Sequence, residues 1–162
     1  MRTKNSVLIV ALFVMSVAGA AGSAQAQALG YGLAGVSGYT GWFGGGLGWH
    51  AAGGGEVLAK GVAGAAAELG VLGNGSGGLW VASFNGVGHM PAIGDGTSAY
   101  FTGGYSRFSN GEGSFNAINF GVGADFRSAG HVGTRVEFRD HLRRDFRGKV
   151  HYVSIRAGIV FK

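Results

Sequence analysis

Phe115-Asn116-Ala117-Ile118-Asn119-Phe120-Gly121-Val122-Gly123-Ala124-Asp125-Phe126 is the stretch on which the fold turns. Ile118, Phe120, Val122, Ala124 and Phe126 fall on one side, and Ala117, Asn119, Gly121, Gly123 and Asp125 on the other. A period of two belongs to a strand, whose successive side chains leave opposite faces. Residues 132–138 repeat the pattern: Val132, Thr134, Val136 and Phe138 alternate with Gly133, Arg135, Glu137 and Arg139. Near the C-terminus Val153, Ile155, Ala157, Ile159 and Phe161 alternate with Tyr152, Ser154, Arg156 and Gly158. A soluble half-buried strand shows the same alternation with its apolar face inward. Two features favour the opposite orientation. The strands run to about ten to twelve residues, enough to cross a bilayer at a tilt and longer than ordinary strands. The polar faces are rich in glycine and small side chains, as the crowded lumen of a narrow barrel requires.

Working outward, breaker clusters mark seven connections, at 38–41, 53–55, 73–78 (GNGSGG), 88–96 (GHMPAIGDG), 110–113 (NGEG), 127–130 (RSAG) and 143–149. They separate eight expected strands at roughly 30–38, 42–52, 56–70, 79–88, 97–107, 115–126, 131–141 and 150–161. Pro91, the one proline, falls in a connection, where it removes no ladder hydrogen bond. The fold class expected is all-β: an eight-stranded antiparallel up-and-down transmembrane β-barrel. It must be closed, since hydrocarbon offers no partner to a free backbone N–H or C=O. An even strand count leaves both termini on one side, expected to be the periplasm, with connections 1, 3, 5 and 7 facing out.

The first 26 residues read as a signal peptide, leaving 27–162 as the barrel domain. Arg2 and Lys4 precede an eleven-residue apolar run (VLIVALFVMSV, 7–17), and small residues follow to an A-x-A site at Ala24-Gln25-Ala26 or Ala26-Gln27-Ala28. The run is too short for a membrane helix. Loss of Arg2 and Lys4 takes the formal charge from +5 to +3. That modest excess would admit a nucleic-acid partner on charge alone, but an exported chain rarely meets one, so none is expected. No cysteine is present, which excludes disulfides and a lipid anchor at the cleavage site. Glycine accounts for 35 of 162 residues, a level that suggests disorder, but aromatics make up 12% and disordered chains are poor in them.

The segments Tyr100-Phe101-Thr102-Gly103-Gly104-Tyr105-Ser106, Asn119-Phe120-Gly121-Val122-Gly123-Ala124-Asp125, Arg135-Val136-Glu137-Phe138-Arg139-Asp140-His141 and Arg156-Ala157-Gly158-Ile159-Val160-Phe161 resemble the small outer-membrane β-barrel family of OmpA/OmpX type. The likeness covers 97–162 well and 42–88 weakly. It implies an eight-stranded barrel in the bacterial outer membrane, inserted by the assembly machinery that reads a C-terminal strand ending in an aromatic. Here that aromatic is Phe161, followed by Lys162.

Arg135, Glu137, Arg139 and Arg156 fall on lumen faces, and Lys60, Glu68 and Asp125 are expected to join them in an ion-pair network, because intramembrane charge is expensive unless paired. Eight strands leave a lumen just wide enough for side chains, so a plugged interior is expected over a pore. Arg143, Arg144, Arg147 and Lys149 form a basic cluster in the seventh connection, suited to lipopolysaccharide phosphates. An enzyme of this fold that modifies lipid A would need a nucleophile and base. The histidines at 50, 89, 131, 141 and 151 offer no His-x-Ser-Asn arrangement, and the best pair, Asp140-His141, lacks a serine. No two histidines stand at metal-ligand spacing. The G-x-G-x-x-G match at 30–35 has no βαβ context, and the Asn74-Gly75-Ser76 sequon has no force in a bacterial protein. The leading expectation is a closed, monomeric barrel with no catalytic residues, cofactor or metal, its aromatics Phe84, Phe101, Tyr105, Phe120, Phe126, Phe138 and Phe161 toward lipid. The alternatives are a lipid A-modifying enzyme of the same fold and a soluble secreted glycine-rich β protein.

Overall fold

The computed structural model describes residues 26–41, 44–74, 77–92, 96–127, 131–145 and 148–162. The expected signal segment lies outside the described residues except for Ala26, which opens the first strand opposite Ala59. Eight strands follow in chain order: β1 (Ala26–Gly41), β2 (Gly44–Ala59), β3 (Ala63–Gly73), β4 (Gly78–His89), β5 (Thr97–Ser109), β6 (Ser114–Arg127), β7 (Val132–Asp145) and β8 (Gly148–Phe161). Each is antiparallel to its sequence neighbours, and β8 pairs with β1 to close the barrel. All strand edges are therefore consumed, the condition for a sheet to lie in hydrocarbon. Both termini lie at the same end.

The alternation assigns the faces as expected from β5 onward. Phe101, Tyr105, Phe120, Phe126, Phe138 and Phe161 are exposed on the outer surface, as are Ile118, Val122, Ile155 and Ile159. Phe84 on β4 joins them. On a soluble protein so broad an apolar surface would be a liability; around a closed barrel it is the lipid-facing band. Trp49, Trp80 and Tyr105, which carry polar ring atoms, occupy the end of this band away from the termini.

Two early boundaries differ from expectation, and the first is at 38–41, which β1 runs through with Gly38 paired to Leu47 and Gly41 to Gly44. The cluster at 53–55 is not a turn either: β2 runs through it, with Gly53, Gly54 and Gly55 paired to Gly32, Tyr31 and Gly30. The chain reverses instead at Lys60-Gly61, both with positive φ (52° and 70°), and Val62 N donates to Ala59 O (3.1 Å). Positive φ at both central residues is the requirement of a type I′ hairpin turn, which matches strand twist. Three adjacent glycines suggest a break, but Gly54 keeps β2 extended for a packing reason. A Cβ there would stand 2.7 Å from the Tyr31 ring, so the position must be bare for that ring to enter the lumen. Lys60 consequently sits exposed in the turn at the terminal end and takes no part in the lumen network.

The seventh connection is also shorter than expected. β7 continues to Asp145 and β8 starts at Gly148, so Arg143, Arg144 and Lys149 are strand residues and only Arg147 of the basic cluster lies outside the described residues. The NGEG turn at 110–113 behaves as read: the Asn110 side-chain oxygen accepts from the backbone N–H of Glu112 (3.1 Å) and Gly113 (2.8 Å).

Candidate functional site

The inward faces fill the barrel in layers. Nearest the termini, Leu29, Leu33, Leu58, Val87 and Val160 form an apolar floor with the ring bodies of Tyr31 and Tyr100. Above it sits the first charged tier. Asp125 and Arg135 are direct cross-strand partners in the β6–β7 register, and Arg135 Nε and Nη2 donate to the two Asp125 oxygens (2.6 and 2.8 Å). Arg135 Nη2 also reaches across the lumen to Glu56 Oε1 on β2 (2.7 Å). Its guanidinium lies 4.8 Å from the centre of the Tyr31 ring and 4.4 Å from that of Tyr100, two cation–π contacts in a dry site. His89 Nε2 stands 3.3 Å from Glu56 Oε1.

The second tier is organised by Glu137, which the β7–β8 register sets opposite Arg156. Arg156 contacts Glu137 and also forks onto Glu68 of β3, Nη1 to Oε1 at 2.7 Å and Nη2 to Oε2 at 2.9 Å. Arg139 donates through Nε and Nη2 to the two oxygens of Glu137 (both 2.9 Å), and Tyr100 OH donates to Glu137 Oε2 (2.7 Å). Arg135, Arg139 and Arg156 are no more than 2% exposed. Bidentate geometry is what lets buried pairs offset their desolvation, and removal of one partner typically costs about 3–5 kcal/mol.

A neutral polar tier follows. Ser106 Oγ lies 3.0 Å from His141 Nδ1 and 2.8 Å from Ser83 Oγ, and Asn119 Nδ2 donates to Ser106 (2.8 Å). His50 Nδ1 lies 3.2 Å from Ser154 Oγ. Phe108, wholly buried, stands edge-on over His141 with ring centres 5.2 Å apart. It stacks on Phe115 (4.8 Å) and leans on Tyr152 (5.2 Å), and with Leu72 and Val81 these rings form an apolar cluster toward the far mouth.

The structure brings together Glu68, Asp125, Arg135, Glu137, Arg139 and Arg156 and excludes Lys60. Glu56 takes part instead, and so do Tyr31, Tyr100 and His89. Parity points to Glu56 as well, for it shares the even-numbered face of the expected 56–70 strand with Glu68 and the inward face of β2 with His50. The rest carry no motif; only register assembles them. Asp140 and His141 are separated: His141 faces the lumen, whereas Asp140 faces outward and binds His151 Nδ1 at 2.7 Å. The Ser106–His141 contact has no carboxylate behind it, and His141 Nε2 has no partner among the described residues. Glu56, His89 and Asp125 hold ligand-type atoms within 4.8 Å of one another, but Arg135 already occupies both carboxylates, so a cation would have to displace it. The basic cluster divides. Arg143 turns to the mouth, 4.4 Å over the Phe115 ring, while Arg144 and Lys149 face out as a cross-strand pair.

No family model matches the sequence, and neither does any curated protein. Solved structures do match in shape. Neisserial surface protein A superposes with a TM-score of 0.67 at 12% identity, covering 85% of this chain and 98% of that one. A de novo designed transmembrane β-barrel gives 0.53 at 17% identity, covering 83% and 93%. Ail, the attachment invasion locus protein of Yersinia pestis, gives 0.52 at 14% identity, covering 85% and 99%. With its closed sheet, apolar outer band and charged lumen, the chain has the fold of the small OmpA/OmpX-type β-barrels.

Proposed function

We propose that this barrel is a closed, non-catalytic, monomeric component of the outer membrane with a structural or interaction role. The supporting observation is the lumen itself: three arginines and four carboxylates pair with one another between an apolar floor and an aromatic cluster. A conducting path would need water along that column, and the Phe108–Phe115–Tyr152 stack stands across it. The non-catalytic reading draws on the separation of Asp140 from His141 and on the burial of Ser106 beneath Phe108. Outer-membrane lipid and, during insertion, the assembly machinery are its proposed partners. Phe161, half-exposed on the outer face at the end of β8, is the proposed insertion signal.

Reconstitution in planar bilayers tests the closed lumen, and no steady conductance is expected. A stable open level would overturn it. Mass spectra of lipid A from cells with and without the protein test the absence of catalysis, and an altered acyl pattern would refute it.

A further inference from the structure

The outer surface of β5–β8 ends in an ordered row. The register sets Arg107 of β5 beside Asn116 of β6. On β7 and β8, one side-chain step beyond the Leu142–His151 pair, Arg144 stands opposite Lys149. One step closer to the termini comes an apolar row, Tyr105 beside Ile118 and Ile118 beside Leu142. Between the rows runs a groove of about 360 Å3, with Tyr105, Ile118 and Leu142 below and Asn116, Arg144 and Lys149 above. Arg107, Arg144 and Lys149 are all exposed; Arg107 stands beside the groove and not in its lining, and its Nη2 donates to Ser114 Oγ (2.7 Å). The nearest outward carboxylate in the band below, Asp140, is engaged by His151 and does not neutralise the row.

We propose that this groove binds an acyl-chain lipid of the outer leaflet through its phosphate headgroup. The cations take the phosphate oxygens, Asn116 donates beside them, and an acyl chain lies along Ile118, Leu142 and the Tyr105 ring. Guanidinium groups fork onto phosphate, and an ammonium adds a point charge. Strand spacing sets Arg144 and Lys149 about 5 Å apart and Arg107 about 10 Å from Arg144, which suits a headgroup carrying more than one anionic group. The occupant is a lipid and not a soluble polyanion because the lower wall of the groove belongs to the apolar band, which a ligand without a chain would leave uncovered. This site replaces the expected loop cluster: it loses Arg143 to the mouth and gains Arg107 from a strand 36 positions earlier.

The proposal rests on the outer-membrane reading with both termini in the periplasm. Gly111→Cys, in the β5–β6 turn, tests that separately. It is expected to react with a membrane-impermeant maleimide on intact cells, and reaction only after the outer membrane is opened would put the row in the wrong leaflet and end the proposal. The binding itself is tested by native mass spectrometry of the detergent-purified barrel titrated with diphosphorylated lipid A. R107Q/R144Q/K149Q is expected to bind roughly 100-fold more weakly, about a factor of five per cation. Dephosphorylated lipid A on the wild type should show a comparable loss, a readout independent of the variant's folding. R107K/R144K should retain most of the binding. Equal binding by the triple variant, an equal loss in R143Q, or displacement of the lipid by inositol hexakisphosphate would each overturn the proposal. A conducting lumen would not, since the row lies outside the wall.

Discussion

The two halves of the barrel wall are built differently. Mid-strand outward positions of β1–β3 are mostly small, Gly32 and Ala34, then Ala51, Gly53 and Gly55, then Ala65 and Ala67, with Val36, Leu47 and Trp49 confined to the end away from the termini. Outward positions of β5–β8 are large: Phe101 and Tyr105, Phe120 and Val122, Phe138, and Ile155. Both walls cross the same membrane, so side-chain bulk is not what crossing requires. What it requires is a completed backbone ladder and no unpaired polar group, and a glycine-alanine sheet meets both conditions. Inside, the thin wall carries Tyr31, Glu56 and Glu68 between bare glycines, and the thick wall brings the arginines.

The sharpest way to break this contrast is through the acid on which both walls' charges converge. Glu137→Leu is expected to lower stability by roughly 3–5 kcal/mol, since it strands Arg139 and much of Arg156 in a dry interior. Urea titration of the folded barrel in detergent would measure it, and wild-type stability would mean the network is ornamental. A second pair of variants asks whether the glycines of β2 are spacers. Gly54→Ala, pointing at Tyr31, should cost about 1–3 kcal/mol, whereas Gly53→Ala, one residue away and facing lipid, should change little. Equal effects would erase the distinction between the faces. Phe120→Ala, thinning the thick wall, should cost about 1–2 kcal/mol if that wall's bulk contributes to packing at all. The smallest effect is expected at the turn: Lys60→Asn should stabilise by up to about 1 kcal/mol, because asparagine tolerates the positive φ that lysine bears there. The same titration reads it, and a loss of stability would count against the turn geometry.

The same contrast explains how much could be read in advance. In the thick wall every second residue is large and apolar, so period, faces and lumen charges from Thr97 onward were visible without coordinates. In the thin wall the mid-strand outward face is mostly glycine and alanine, and glycines such as Gly54 and Gly70 interrupt the inward face too. Alternation then carries almost no signal, and three glycines resemble a turn. Pattern alone therefore puts the β2–β3 reversal at 53–55 instead of 60–61, which moves Lys60 into the lumen and leaves Glu56 at a strand end beside a turn. The network's membership was legible where partners are register neighbours, as with Asp125–Arg135 and Glu137–Arg156. It was not legible where they meet across the lumen, because no local pattern links Glu56 to Arg135 or Glu68 to Arg156.

Those two cross-lumen pairs span 79 and 88 positions of chain. Before closure, the inward face of β6–β8 holds three arginines against Asp125 and Glu137, a surplus of positive charge, while β2–β3 hold Glu56 and Glu68 with no arginine on β1–β4 beside them. The nascent sheet is thus polarised end to end, and Glu56 and Glu68 meet their arginines only when β8 meets β1. Ring closure and the pairing of these two acids are one event. An insertion route that leaves the seam open must keep the half-formed lumen wet until that event occurs, which places the slow, late step of assembly at the seam between the first strand and the last.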